Sequence, residues 1–225
     1  MVQLFIANKN YSSWSLRPWI LMRQIGIPFT ETLVPFGGPD DFRHFSPTGK
    51  VPCLIDGQTT VWDSLAITEY LAEKYPSVWP EDRAARAWGR CAAAEMHSGF
   101  FELRGTCTMN CGVRVELKTF PAGLKNDIAR IDALWTEGIS RFGGPFLAGS
   151  AFTAVDAFFA PVAFRIQTYG LALSPVARQY ADRMLALAPM QDWYASALTE
   201  PWRDTAHENE LEQVGKVLQD FRKQG

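Results

Sequence analysis

A break at Tyr75-Pro76 constrains this chain more than any other feature: short apolar runs alternate with helical patterns before it, and no clear strand follows it. Gln3 to Ala7 is an apolar run suited to a buried strand. From Ser15 to Gly26, Leu16, Trp19, Ile20 and Ile25 recur near helical spacing, with Gly26 as the stop and Pro28 beyond it. Phe29 to Val34 predicts a second strand, broken by Pro35, Gly37, Gly38 and Pro39. Asp40 to Phe45 predicts a short helix ending before Ser46-Pro47. Cys53–Ile55 and Thr59–Trp62 are β runs joined around Asp56-Gly57, a hairpin dipeptide. After Asp63-Ser64, the residues Leu65, Ile67, Leu71 and Tyr75 mark another helix. The order βαβαββα implies a small mixed sheet whose first crossover is right-handed.

Beyond the break, Tyr75-Pro76 and Trp79-Pro80 punctuate a linker, and helical segments start near Asp82, Pro121, Thr153, Ser174 and Pro189. Gly143-Gly144-Pro145 and Gly170 separate some of them. The expectation is an α/β domain over 1–78, a linker over 79–85 and an all-helical domain over 86–225. With 22 Lys and Arg against 24 Asp and Glu, the net charge of −2 argues against a nucleic-acid partner, which would need a basic face. MVQLFIANKN does not resemble a signal peptide, and the apolar stretch from Ala154 to Phe164 is too short for a bilayer and is broken by Asp156 and Pro161. No membrane association and a cytoplasmic location are therefore expected. There Cys53, Cys91, Cys107 and Cys111 would stay reduced. Cys107 and Cys111 stand one turn apart, as if on one helix face, but no His or third Cys joins them at ligand spacing. The expectation is buried thiols and no metal.

The stretch YSSWSLRPW, Tyr11 to Trp19, crowds three serines into the first strand-to-helix corner. A serine there either caps the helix or serves a reactive anion at its positive end. For a thiol the second role is energetically sufficient. Lowering its pKa from roughly 8.5 by ~2 units needs about 2.7 kcal/mol, and one charge-assisted hydrogen bond supplies roughly 1.5–3 kcal/mol. Serine is too weak a base to remove the proton itself. A C-x-x-C redox pair is absent, since Ser12-Ser13-Trp14-Ser15 stands in its place.

Four motifs, SSWSLR, GKVPCL, DSLAI and FTAVDAFFAP, in this order and at these separations, resemble the cytosolic glutathione transferase superfamily over nearly the whole chain. SSWSLR is similar to the serine motif of its zeta-type members, with Trp14 in the place of that motif's cysteine. The resemblance implies a thioredoxin-like N-terminal domain that binds glutathione as co-substrate, without a prosthetic group, and a helical-bundle domain that supplies the electrophile pocket. It assigns the catalytic position to Ser12, with Ser13 as rival. Either Ser13 or Ser15 would then cap the helix. It gives Val51 a backbone pairing with the cysteinyl unit of glutathione beside a cis Pro52, and Asp63 and Ser64 the γ-glutamyl end. Lys50 would meet a carboxylate or remain solvated, and His44 would border the ligand. Thr153 to Asp156 is a capping-box variant, and Asp156 is structural in the family. Arg17 either supports the corner, pairs with the second domain or is exposed. His97 is expected to pack between helices, and Trp88, Phe100 and Phe101 to pack in the core or face the pocket. A homodimer is expected.

The implied reaction is attack of glutathione thiolate on a small electrophile. Two alternatives stay open: glutathione-dependent cis–trans isomerisation of a maleyl-type diacid, and a non-enzymatic binding module. The diacid needs cations, for which Arg104 and Arg165 are candidates. The zeta-type arginine position, however, falls near Thr168.

Overall fold

The computed structural model describes residues 2–37 and 42–222. The first half runs β1 (Gln3–Ile6), α1 (Ser13–Gln24), β2 (Thr30–Leu33), a 3-10 turn (Phe42–His44), β3 (Cys53–Asp56), β4 (Thr59–Trp62) and α2 (Ser64–Lys74). The short helix anticipated over Asp40–Phe45 is this 3-10 turn where described; Gly38, Pro39, Asp40 and Asp41 lie outside the described residues. The strands form one mixed sheet in the order β2-β1-β3-β4, with β1 and β2 parallel and the other pairs antiparallel. Alternation fixes its buried face: Leu4 pairs with Leu54, and both are fully buried with Ile6. Gly57 turns the β3–β4 hairpin at φ 61°, where a side chain would be strained. This is a thioredoxin-like domain.

A 3-10 turn over Pro76–Val78 precedes the helical half. It contains α3 (Arg83–Ser98), α4 (Phe101–Thr106), α5 (Ala122–Phe142), α6 (Ala154–Tyr169), α7 (Pro175–Ala186), α8 (Ala188–Thr199) and α9 (Thr205–Val214). Asp82 and Ser174 cap α3 and α7 through their side chains. The expectation of no strand here needs correction. β5 (Val113–Leu117) and β6 (Gly215–Asp220) form an antiparallel ribbon. Val113 and Val115 of β5 are buried, and a Cβ on Gly215 would come 2.3 Å from Val115 Cγ1, so this approach needs glycine. Cys107 and Cys111 are not on one helix face either: Cys107 ends α4 and Cys111 lies in the turn before β5. All four thiols are free, and Cys91 alone is exposed.

Helix α6 is the axis of the helical half, buried nearly throughout. Its start is closed completely. Asp156 accepts from the Leu147 and Thr153 backbone N–H groups at 3.0 Å each and from the Tyr180 hydroxyl at 2.9 Å. Burial pushes its carboxyl up to about 6 despite these donors. The two halves meet where α1 packs on α6. The Lys9 carbonyl accepts from Trp193 Nε1 at 2.8 Å, Glu200 accepts from the Lys9 N–H at 2.6 Å, and Trp19 meets Trp193 edge-on. No helix among the described residues is long and apolar enough to cross a membrane.

Candidate active site

Two adjoining clefts open where the sheet domain faces the helical half. The larger, about 600 Å³, is lined by Tyr11, Ser12, Ser13 and Trp14 from the α1 corner and by Arg104, Thr108, Arg165 and His207 from the other half. The second, about 540 Å³, runs past Trp14, Lys50, Val51, Pro52, Asp63, Ser64 and Arg104. Trp14, Lys50, Val51 and Arg104 belong to both, so the two form one trough.

At the α1 corner, Ser12 occupies the N-cap position, but no side chain makes a capping hydrogen bond there. Neither Ser13 nor Ser15 is the expected cap. Ser15 instead ties the end of β1 to the helix, its Oγ accepting from the Ala7 N–H at 3.2 Å and from the buried Ser12 hydroxyl at 2.7 Å. Ser13 is half-buried. The Ser13 N–H donates to the Tyr11 carbonyl at 3.0 Å, and among the described residues no side chain caps the first turn of α1.

At the second corner, Asp63 takes φ 72° and its Oδ1 accepts from the Leu65 N–H at 2.8 Å. Its Oδ2 stands 3.5 Å from His97 Nε2 of α3. His97 thus links the halves, its ring edge-on to Trp14 at 5.3 Å, and burial pulls its imidazole below the ordinary range. With the cap supplied by Asp63, the Ser64 hydroxyl is left buried without a partner. The Val51–Pro52 peptide is cis, as expected. Lys50 is exposed and lines both clefts, whereas His44 sits exposed on the 3-10 turn and lines neither. The structure thus brings Ser12, Ser13, Lys50, Val51, Pro52, Asp63 and Ser64 to one trough and leaves His44 outside it.

Arg104 and Arg165 line this trough, and Arg17 packs behind its Trp14. Arg17 is buried, correcting the exposed alternative; its guanidinium lies 4.1 Å from the Trp14 ring centroid, and its Nε and Nη1 lack hydrogen-bond partners. Burial first, and then repulsion from Arg165 and Arg104, pull it well below the ordinary arginine range. Arg104 lies 4.8 Å from the same ring centroid and donates to the Gly99 carbonyl at 3.1 Å. Arg165 donates to the Cys107 carbonyl at 2.7 Å, and burial pulls it down to about 10. Among the described residues no carboxylate is ion-paired with any of the three. Phe101 is 70% exposed at the cleft mouth, not in the core, while Phe100 is buried and Trp88 packs against Phe142. The sequence reading missed Tyr11, Phe36, Thr108, His207 and Glu210 as lining residues. Tyr11 directly preceded a recognised motif; the others carried no local signal. Among the described residues no group of three or more His, Cys, Asp or Glu is placed to hold a metal.

A thioredoxin-like sheet joined to a helical half across a serine-bearing trough is the architecture that these elements build. Residues 11–74 match the glutathione S-transferase N-terminal domain, and residues 117–196 match the glutathione S-transferase C-terminal domain. The chain belongs to the glutathione S-transferase family. It is 42% identical over 59 residues to a dichloromethane dehalogenase of Methylorubrum extorquens, a stretch that is 24% of this chain and only 20% of that protein. It is 27% identical over 174 residues to a probable maleylacetoacetate isomerase of Caenorhabditis elegans, covering 72% of this chain and 78% of the relative. Its fold is shared with a theta class glutathione S-transferase of Xanthomonas axonopodis pv. citri solved with glutathione bound, at TM-score 0.63, 24% identity and 86% and 96% coverage of the two chains.

Proposed function

We propose that the protein is a glutathione transferase that holds its co-substrate along the trough and activates the thiol at the α1 corner. The carrying observation is the buried, unpartnered Ser64 hydroxyl at the start of α2, with Asp63 and the Val51 backbone beside it. An unsatisfied buried hydroxyl costs roughly 1–3 kcal/mol unless something bonds to it. A carboxylate that accepts from this hydroxyl and from the first N–H groups of α2 fits the γ-glutamyl end of glutathione. Val51 pairs with the cysteinyl backbone, as in strand addition. The thiol then points to Ser12 and Ser13, which line the larger cleft. On binding, the Ser12 hydroxyl turns its one proton from Ser15 Oγ to the sulfur, and the N-terminal end of α1 adds positive potential. The thiolate attacks a small electrophile held between Phe101, Arg104 and Arg165. Lys50 meets a carboxylate of the peptide.

A second reading, glutathione-dependent isomerisation of a maleyl-type diacid, is favoured by Arg104 and Arg165, two cations without a carboxylate partner at the electrophile end. The isomerase relative in Caenorhabditis elegans fits it, whereas Thr168, at the zeta-type arginine position, is committed to the Asn110 carbonyl. A panel of an aromatic halide, a peroxide and maleylacetone, each with glutathione, separates the readings. Conjugation supports the first, isomerisation alone the second. Glutathione binding without turnover leaves a binding module. We also infer a homodimer, with the apolar groove of Val61, Trp62, Leu65 and Ala66 covered by the partner's helical half. Sedimentation at micromolar concentration should find a mass twice 25.2 kDa, and a monomer there overturns it.

A further inference from the structure

A serine hydroxyl stabilises a thiolate but is too weak a base to take the proton from a thiol, so that proton needs another acceptor. His207 is the imidazole lining the cleft that holds Ser12 and Ser13. It comes from the first turn of α9 and is held on three sides. Its Nδ1 stands 2.6 Å from Asp204 Oδ2, and its ring stacks on Tyr11 and lies tilted against Phe36, with centroids 5.0 Å away in each case. A carboxylate only accepts, so Nδ1 carries a proton, and in the neutral ring the lone pair is then on Nε2. Nε2 has no hydrogen-bond partner among the described residues. Burial opposes the charge on Asp204, yet the His207 ring and backbone hydrogen bonds hold its carboxyl below the ordinary range. An ionised carboxylate behind an oriented imidazole is the arrangement that makes histidine a base.

We propose that His207, oriented by Asp204, accepts the thiol proton of the co-substrate at the serine corner. The inference rests on the glutathione transferase reading and adds the residue that completes its proton balance. The S–H bond breaks with its electron pair left on sulfur, and the proton bonds to Nε2, directly or through one water. The thiolate forms a bond to the electrophilic carbon as the bond from that carbon to its leaving group breaks, its electron pair going with the leaving group. The imidazolium then returns the proton to the departing group or to solvent and becomes neutral again. Asp204, at the N-cap of α9, and Glu210 within it favour the imidazolium, while Glu208 is paired with Arg222, which also reaches the Tyr11 hydroxyl. Arg104, Arg165 and Lys50 across the cleft oppose the imidazolium. Tyr11 is neutral, because burial and its hydrogen bond to Glu208 push its hydroxyl up.

The test uses the full chain with His207→Phe, which keeps a ring in the stack, and His207→Ala, which leaves room for added imidazole. Glutathione affinity, measured by calorimetry, should stay within about threefold, while kcat at neutral pH falls roughly 10- to 100-fold. The acid limb of the pH–rate profile should disappear in His207→Phe, and imidazole should restore part of the rate of His207→Ala in a saturable way. Unchanged kcat and pH profile in His207→Phe overturn the proposal. So does a loss in His207→Ala that imidazole does not restore while glutathione binding is intact, since this marks a packing role. Failure of the unaltered protein to bind glutathione removes the transferase reading as well, an outcome distinct from the other two.

Discussion

The starts of α6 and α2 are built from similar residue types and end up with opposite properties. At α6 every acceptor of Asp156 is used, by Leu147, Thr153 and Tyr180, and the whole corner is buried. At α2 Asp63 supplies the cap while remaining exposed, and the Ser64 hydroxyl is buried with nothing to bond. The α1 corner is open in a third way, with no side chain capping it. A closed cap stabilises the fold by satisfying its donors, whereas an open one leaves donors available for a ligand. Removing groups should therefore cost stability at α6 and function at α1 and α2.

The largest effect is expected at the closed corner. Asp156→Ala strands the Leu147 N–H and the Tyr180 hydroxyl, at roughly 1–3 kcal/mol each. Urea denaturation should show a loss of about 3–5 kcal/mol, comparable to breaking a buried charged network. A loss below about 1 kcal/mol would erase the contrast between the corners. Ser12→Ala comes next, with the fold intact. Losing a charge-assisted bond worth roughly 1.5–3 kcal/mol should raise the pKa of bound thiol by ~1–2 units and slow neutral turnover about 10- to 100-fold. Thiolate absorbance against pH reads this directly. An unmoved titration in Ser12→Ala together with a shifted one in Ser13→Ala transfers the role one residue along.

Ser64→Ala should raise the Michaelis constant for glutathione by roughly 5- to 10-fold, about 1 kcal/mol and so within the range of one net hydrogen bond, with the saturated rate nearly unchanged. A fall in saturated rate alone would place Ser64 near the chemistry. The smallest effect concerns His97, which faces Asp63 across the two halves. Burial depresses its folded pKa below the unfolded value of about 6.5, so the unfolded chain binds more protons as the pH drops. Stability should decline from about pH 6.5 down to the folded pKa and then level off with respect to this group. His97→Phe should flatten that segment of the stability–pH curve, and an unchanged slope would assign it to other groups.

Much of this was legible locally. Strand alternation, the Asp56-Gly57 hairpin, the capping box at Thr153 and the serine motif depend on residues within a few positions of each other. The β5 alternation, Val113-Arg-Val-Glu-Leu, was also present in the sequence. It makes sense as a strand only beside β6, some hundred residues later, because a lone strand satisfies no ladder. Arg17 carried no sign of burial, since Phe158 of α6 and Trp14 enclose it from two directions.

The sequence by itself determined the thioredoxin-like order of elements, the helical second half and the placement of serine and aspartate at helix starts, because helix and strand periodicity, turn dipeptides and capping residues act within a few positions along the chain. Tertiary structure decided which of those helix starts remain open, where three arginines gather without an ion-paired carboxylate among the described residues, and that an imidazole from α9 shares a cleft with the serines of α1. Those properties come from burial and from partners brought together by folding, and neither has a signature in the spacing of residues along one segment.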